Sequence, residues 1–147
     1  MKLTAYSNYA LRILMYCALR QPDLSSVAEI SEAYGISKAH LVKAAHQLVQ
    51  IGYLDSVRGR AGGIRLAMAP EDIVIGEVVR HTEGDLMLVE CFDPATNTCP
   101  LMEVCELSRT MKRARDAFLA VLDDTTLADV TANQRALSLR LNLLEDA

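Results

Sequence analysis

Two short helical patterns separated by three residues constrain the fold of this chain more than any other feature. The first covers residues 27–34, after a pair of serines that can cap it, and Gly35 follows as a left-handed stop. The second covers residues 38–50 with Ser37 as its cap, and its predicted inward face is Leu41, Ala44 or Ala45, Leu48 and Ile51. Two helices joined by a three-residue turn that contains glycine form the helix-turn-helix pattern.

A helix precedes this pair and a hairpin follows it. Thr4 can cap a first helix that runs to about Gln21, and this helix is apolar on so much of its surface that it should be buried from two sides. After Gly52 the periodicity becomes that of strands, because YLDSV and IRLAM flank the turn sequence RGRAGG, in which Gly62 and Gly63 permit a sharp reversal. A helix-turn-helix followed by a hairpin is the winged-helix architecture.

The second half of the chain is predicted to contain a fourth helix, a loop and a long helix. Residues 73–82 have a helical pattern, and the prolines of the following segment indicate a loop. A long helix should begin at Leu101 or Glu106 and end at Leu122, with an exposed apolar stripe formed by Leu107, Met111, Ala114, Phe118 and Val121. The partner that such a stripe requires is the same helix of a second copy.

The predicted fold is therefore mainly α with a small β-hairpin. It consists of a winged helix-turn-helix domain at residues 1–83, a cysteine-rich loop at 84–105, and a dimerisation helix with a short helical tail at 106–147. The longest apolar run near the N-terminus is only Ile13 to Leu19, between two arginines, and is too short to span a bilayer. No small-residue cleavage site follows it, so we expect a cytoplasmic protein without a membrane partner.

The charge of the chain is divided unequally between its two halves. The net charge is −4, but residues 1–70 hold eight Lys and Arg against four Asp and Glu, whereas residues 71–147 hold seven against fifteen. The basic half can therefore face DNA phosphates. Because the second helix of a helix-turn-helix enters the major groove and the wing suits a narrow minor groove, the predicted DNA-binding residues are Ser37, Lys38, Ala39, His40, Lys43, Arg58, Arg60 and Arg65.

Other classes of function find less support in the sequence. The alternative for the basic residues is a solvated face of a small helical domain. His46 and His81 are predicted to be ordinary surface or boundary residues. The chain lacks the P-loop, GxGxxG, GxSxG and HExxH motifs, and the histidine nearest to the thiols, His81, is ten residues before Cys91, so we predict no enzyme. A further alternative is a protein-interaction module that assists the assembly of metal clusters without binding DNA, but such a module would not require the basic wing.

Three cysteines lie within one short segment of the predicted loop. Cys91 and Cys99 are separated by seven residues, and Cys99 and Cys105 by five. Such thiols suit zinc or an iron-sulfur cluster, but zinc sites usually use closer pairs, and iron-sulfur clusters generally take four protein ligands. Three cysteines would leave one iron without a thiolate, which indicates a sensor. Reduced thiols with a redox role and a zinc site remain alternatives, and Cys17, on a buried helix face, is predicted to be a small hydrophobe.

Four segments give the chain a resemblance to a known family. It resembles the bacterial iron-sulfur winged-helix transcriptional repressors of the NsrR, RirA and IscR type, most closely the NsrR branch, and the resemblance covers nearly the whole chain in MKLTAYSNYALRILMY, VRGRAGGIRLA, CFDPATNTCPLMEVC and LDDTTLADV. The resemblance implies a nitric-oxide-sensing repressor that binds a palindromic operator as a homodimer. The RirA branch implies an iron-responsive alternative.

The resemblance also implies a ligand set. Each subunit would hold an iron-sulfur cluster on Cys91, Cys99 and Cys105, with 4Fe-4S favoured and 2Fe-2S as the form implied by the IscR branch. In the NsrR branch the fourth ligand is an aspartate from the first helix of the partner subunit, and the matching position in this chain is Asn8. A neutral amide is a poorer ligand than a carboxylate, so the resemblance leaves the fourth ligand open. The RirA branch is similar in lacking that carboxylate, which keeps the iron-responsive alternative open.

Overall fold

The computed structural model describes residues 2–144, so Met1 and the last three residues of the predicted tail lie outside it. In the described chain, three helices precede a two-stranded hairpin and four follow it. Their bounds are α1 Ala5–Arg20, α2 Val27–Tyr34, α3 Lys38–Gln50, β1 Leu54–Val57, β2 Gly63–Leu66, α4 Ile75–Glu83, α5 Glu106–Asp123, α6 Leu127–Val130 and α7 Gln134–Arg140, with short 3-10 turns at Pro70–Asp72 and Glu90–Phe92. The predicted mainly α fold with a small hairpin is confirmed.

Local capping interactions set most of the helix ends in the first half. The Thr4 side chain accepts a hydrogen bond from the Ser7 backbone, and Ser26 forms a reciprocal capping box with Glu29. Gly35 ends α2 in the left-handed region at φ 64°. The prediction that Ser37 caps α3 is wrong in its chemistry, because its side chain makes no capping hydrogen bond although it holds the cap position.

The hairpin pairs antiparallel and is also joined to the segment before α2. The register runs from Leu54 opposite Leu66 to Val57 opposite Gly63. The first strand begins one residue later than the predicted YLDSV, and the second begins one residue earlier and ends two residues earlier than the predicted IRLAM. Ser25 exchanges two backbone hydrogen bonds with Ile64, at 2.9 and 2.8 Å. The wing is therefore attached to the helix-turn-helix at its base, and its tip extends away from the core.

One buried cluster unites the first half of the chain with part of the tail. The predicted inward residues of α3 are buried, except that Ile51 is 42% exposed because α3 ends at Gln50 and the chain turns away. Leu127 of α6 is completely buried in the same cluster as Ile13 and Leu14 of α1. Backbone hydrogen bonds attach the tail beside the start of α4: the amide of Leu127 donates to the carbonyl of Ile73 at 2.8 Å.

The long helix α5 is attached to the body of the molecule near its C-terminal end. Arg80 of α4 binds both carboxylate oxygens of Asp123, one of them at 2.7 Å. No residue of α5, all of which the structure describes, is fully buried, and Leu107 and Val121 of the apolar stripe are each 67% exposed. In residues 2–144 no helix is both long and apolar enough to cross a membrane.

The packing of α4 on the end of α5 yields a stability prediction at Gly76. A Cβ on Gly76 would lie 2.9 Å from the Asp123 backbone nitrogen and would collide with the Asp123 carboxylate. An alanine in a helix ordinarily stabilises it by about 0.5–1 kcal/mol relative to glycine. We expect Gly76→Ala to reverse this sign and lower the free energy of unfolding by about 1–3 kcal/mol, the usual cost of overpacking. Urea unfolding measures the change.

The control for this prediction is Glu77→Ala, at the adjacent exposed position of the same helix. This variant should remain within about 0.5 kcal/mol of the parent, as surface substitutions usually do. A Gly76→Ala chain that is as stable as the parent would show that α4 and α5 are not in close contact in solution.

Candidate nucleic-acid interface and cysteine-rich loop

The predicted reading residues form one exposed surface at the start of α3. The first turn of the helix faces solvent on the side opposite its buried residues Leu41, Ala44 and Leu48. The structure brings together on this surface Ser37, Lys38, Ala39, His40 and Lys43, all exposed. A small residue between two lysines and a histidine permits close approach of a nucleic-acid groove.

The first helix holds one of these residues in place. The ring of Tyr9 in α1 stacks on His40, with centroids 5.9 Å apart and planes 13° from parallel. A shallow groove of about 250 Å³ runs beside this pair between α1 and α3, and Lys43 also lines it. Tyr9 is absent from the predicted site, because a half-buried aromatic residue in a largely apolar helix indicates only core packing. The stacked pair is a direct contact between α1 and the predicted DNA-binding surface of α3.

The wing separates its three arginines into two environments. Arg58 and Arg60 lie exposed in the turn between the strands, whereas Arg65 lies on β2 directly opposite Asp55. Nε of Arg65 is 3.9 Å from the Asp55 carboxylate, and both side chains are more than half exposed, so this ion pair contributes little and Arg65 remains available to a phosphate. The positive φ in the turn belongs to Gly59, at 112°, rather than to Gly62 or Gly63.

Hydrogen bonds that two carboxylates accept shape the cysteine-rich loop. The Glu90 carboxylate accepts hydrogen bonds from the backbone and the hydroxyl of Thr98, both at 2.6 Å. These contacts hold the pKa of Glu90 below its ordinary value, and Thr96 and Ala95 do the same for Asp93. Because Glu90 precedes Cys91 and Thr98 precedes Cys99, the first contact brings together the chain segments that carry two of the three thiols.

The three thiols occupy different positions in this loop. Cys91 lies in the 3-10 turn and its thiol donates to the Ser108 hydroxyl at 3.2 Å, whereas Cys105 is the cap position of α5. All three are half-buried, and all four cysteines of the chain are free thiols. Within residues 2–144 no group of three or more His, Cys, Asp or Glu side chains lies close enough to hold a metal ion. The predicted ligands therefore share a loop but not a common centre.

The chemistry of the loop nevertheless fits an iron-sulfur cluster. Three reduced, accessible thiols are a soft donor set. A cavity of about 300 Å³ beside Cys91 is also lined by Lys112 and Arg115, whose positive charges favour thiolates and an anionic cluster. The guanidinium of Arg115 lies 4.9 Å from the centre of the Phe92 ring, which attaches the loop to α5.

Glu83 connects the start of the loop to the first turn of α1. Its carboxylate accepts hydrogen bonds from the Thr4 backbone at 2.7 Å, from the Thr4 hydroxyl at 2.9 Å and from the Ser7 hydroxyl. Desolvation acts to raise the pKa of Glu83, but the hydrogen bonds from Ser7 and Thr4 outweigh it and keep the pKa below its ordinary value. Asn8, the predicted fourth-ligand position, is exposed on the same helix, one residue after Ser7.

Cys17 plays no part in this arrangement. It is 1% exposed in the core face of α1, and burial raises the pKa of its thiol to about 12. A thiol in this environment does not form the thiolate that metal binding or nucleophilic attack requires. The structure is in agreement with the prediction that it acts as a small hydrophobe.

Comparisons with known proteins place the chain among transcriptional regulators. The family model Rrf2, described as "Iron-dependent Transcriptional regulator", matches residues 3–133. The chain is 49% identical over 146 residues to the "HTH-type transcriptional regulator NsrR" of Bacillus subtilis (strain 168), a match that covers 99% of this chain and 100% of the relative.

Solved structures show the same fold. The structure of CymR, titled the global cysteine regulator of B. subtilis, matches with a TM-score of 0.74 and 27% identity, over 90% of this chain and 98% of that one. The structure titled T. potens IscR matches with a TM-score of 0.73 and 25% identity, over 90% of this chain and 88% of that one.

Proposed function

Because the chain belongs to the Rrf2 family of transcriptional regulators, we propose that it is a cytoplasmic, nitric-oxide-sensing repressor that binds a palindromic operator as a homodimer. Several relatives that match nearly the whole chain are named transcriptional regulators, which favours a regulator over an enzyme. Lys38, His40 and Lys43 would enter the major groove, and the wing arginines Arg58 and Arg60 the minor groove. The two copies would be held by the exposed stripe of α5, so that the reading helices meet successive major grooves about 34–36 Å apart.

The cysteine-rich loop would carry the sensor. We propose that Cys91, Cys99 and Cys105 hold a 4Fe-4S cluster, a more suitable group than zinc for three widely spaced thiols. When bound, the cluster would supply an iron that no thiolate of this chain covers and that small molecules such as nitric oxide can reach. The amide of Asn8 is the residue of this chain that matches the fourth-ligand position, and it would bind that iron only weakly.

One observation carries this proposal: contacts through α1 connect Glu83, the residue directly before the loop, with α3. Glu83, at the start of the loop, binds Thr4 and Ser7 of α1, and Tyr9, two residues after Ser7, stacks on His40 of α3. While the thiolates act as ligands, the loop would keep Glu83 and α1 in their DNA-binding positions. Release of the thiolates would free α1 to shift and would move His40 with it. The coupling free energy expected of such a switch is about 1–3 kcal/mol.

The experiment that tests this function combines spectroscopy with DNA binding. The protein is purified without oxygen, and its absorbance, native mass and fluorescence-anisotropy affinity for a duplex selected from random sequences are measured before and after stoichiometric nitric oxide. We expect a mass increment of a 4Fe-4S cluster in each subunit and a loss of affinity of about 5- to 150-fold after nitric oxide. Equal affinities before and after would rule out the switch.

A second candidate function is favoured by the identity of residue 8. Asparagine instead of aspartate weakens the fourth ligand, so the cluster would be lost more readily when iron is scarce. The same measurements separate the two functions when a second sample is treated with an iron chelator instead of nitric oxide. An iron-responsive repressor would lose DNA affinity after treatment with an iron chelator and would retain it after stoichiometric nitric oxide.

A further inference from the structure

A histidine outside the predicted site is bonded to a buried tyrosine at the base of the wing. Nδ1 of His81, in the last turn of α4, is 3.0 Å from the hydroxyl of Tyr53, and the two rings meet edge to face with centroids 5.7 Å apart. Tyr53 is only 4% exposed, whereas His81 is exposed. A buried phenol hydroxyl needs such a partner, because leaving it unsatisfied costs about 1–3 kcal/mol.

Tyr53 joins the reading helix to the wing. It lies between α3 and β1, and its backbone nitrogen donates to the carbonyl of Leu48 in α3 at 2.9 Å. Its backbone carbonyl accepts a hydrogen bond from Ala67, just after β2, at 3.0 Å. The position of Tyr53 therefore sets the angle between α3 and both strands of the hairpin, which bears Arg58 and Arg60 in its turn.

The turn of α4 that contains His81 is also where the cysteine-rich loop begins. Arg80 binds Asp123 of α5, His81 binds Tyr53, and Glu83 binds the first turn of α1, so three side chains of one turn reach three different elements. Gly84 ends the helix, and the loop follows. A displacement at the start of the loop would reach the wing through His81, by a path separate from that through α1.

We propose that His81 is a positioning residue for DNA binding, which acts through Tyr53 to hold the wing at its working angle to the reading helix. This inference rests on the proposed DNA-binding function and adds a second connection from the loop to the DNA surface. Burial, and then the nearby Glu77 carboxylate, raise the pKa of Tyr53, so that the phenol stays protonated and can share a hydrogen bond with His81. The hydroxyl of Tyr53 and Nδ1 of His81 share one hydrogen bond, and the tautomer of His81 sets which of the two is the donor.

Three substitutions at position 81 distinguish this role from simple packing. Asparagine carries a polar atom at the same distance from Cβ as Nδ1, glutamine carries it one bond farther out, and leucine has none. We expect His81→Leu and His81→Gln to lower the affinity for the selected duplex about three- to tenfold, and His81→Asn to retain affinity within about twofold. Loss of affinity in proportion to lost thermal stability, with no rescue by asparagine, would contradict the proposal.

A double-mutant cycle tests whether the effect passes through the wing. Arg60→Ala should weaken DNA binding about fivefold in the parent chain but less than about twofold in the His81→Leu chain, because a displaced wing no longer makes its contacts. Arg60 and His81 lie in different elements, so independent roles would instead give additive effects. Additive effects would overturn the inference and leave the proposed DNA-binding function intact.

Amide hydrogen exchange gives a readout that does not depend on DNA. In the His81→Leu chain the Ala67 amide, which donates to Tyr53, should exchange about three- to tenfold faster than in the parent, and His81→Asn should restore the parent rate. An unchanged rate at Ala67 would overturn the inference. If Arg60→Ala leaves DNA binding of the parent chain unchanged, the wing assignment of the proposed function fails, and the Ala67 rate still decides whether His81 positions the wing.

Discussion

Replacing Cys99 with serine is expected to abolish retention of the iron-sulfur cluster and to reduce operator affinity to that of the nitric-oxide-treated parent. A serine oxygen is a hard donor that rarely binds iron-sulfur clusters, and the two remaining thiolates would leave two irons without a protein thiolate. Cys99 is the most suitable of the three positions, because the Cys91 thiol donates to Ser108 and Cys105 holds the cap position of α5. The backbone amide of Cys99, which donates to Asn97 at 3.1 Å, is retained.

The measurements are the visible absorbance and native mass of protein purified without oxygen, and the affinity for the selected duplex. The affinity should fall about 5- to 150-fold, the range of typical allosteric coupling. Cys17→Ser is the matched control, since Cys17 is buried in the core and is not a predicted ligand. A Cys99→Ser chain that keeps a full cluster would remove Cys99 from the ligand set, and equal cluster loss in both variants would indicate a general effect of thiol removal.

Replacing Val121 with glutamate is expected to dissociate the proposed dimer. Val121 is 67% exposed on the apolar stripe of α5, near the end of the helix that Arg80 holds and far along the chain from the thiols. A carboxylate buried without a partner at an interface costs several kcal/mol, and a symmetric dimer would bury two of them. The dimer dissociation constant should therefore rise by at least about 1000-fold.

Loss of the dimer should also remove most of the DNA affinity, because each winged helix-turn-helix domain would then bind a half-site alone. Linking two DNA-binding domains raises the overall affinity by about 10²- to 10⁴-fold. Sedimentation velocity measures the association and anisotropy the DNA affinity, with Ala120→Glu as a control that adds the same charge to another exposed position of α5. A Val121→Glu protein that sediments as a dimer would show that this face of α5 is not the interface.

The helices of the first half could be predicted almost to the residue because their ends depend on short-range interactions. Thr4, Ser26 and Gly35 each satisfy backbone groups within a few residues, so the pattern and the structure coincide. Ile51 is the instructive error. It continues the apolar spacing of α3, but the chain leaves the helix at Gln50, and the residue that enters the core at this point is Tyr53.

The components of the candidate site could also be predicted in part. The reading residues of α3 and the arginines of the wing lie on exposed surfaces as expected, and the family membership accounts for the order of the motifs. The roles of these residues in DNA binding, and of the cysteines in binding a cluster, stay predictions. Tyr9, Tyr53 and His81 were not predicted to matter, since nothing in a single sequence distinguishes an aromatic residue that only packs from one that orients a neighbour.

What the sequence determined by itself is the order of the elements and the chemistry available: three clustered thiols, a basic first half and an apolar stripe on the long helix. Only the tertiary structure decided which groups meet. Glu83 binds Ser7 across 76 residues of chain, Arg80 binds Asp123 across 43, and Tyr53 binds His81 across 28. The physical reason is that a cap or a periodicity is set by neighbours within one or two helical turns, whereas these pairs exist only where the packed core brings separate helices within hydrogen-bonding distance.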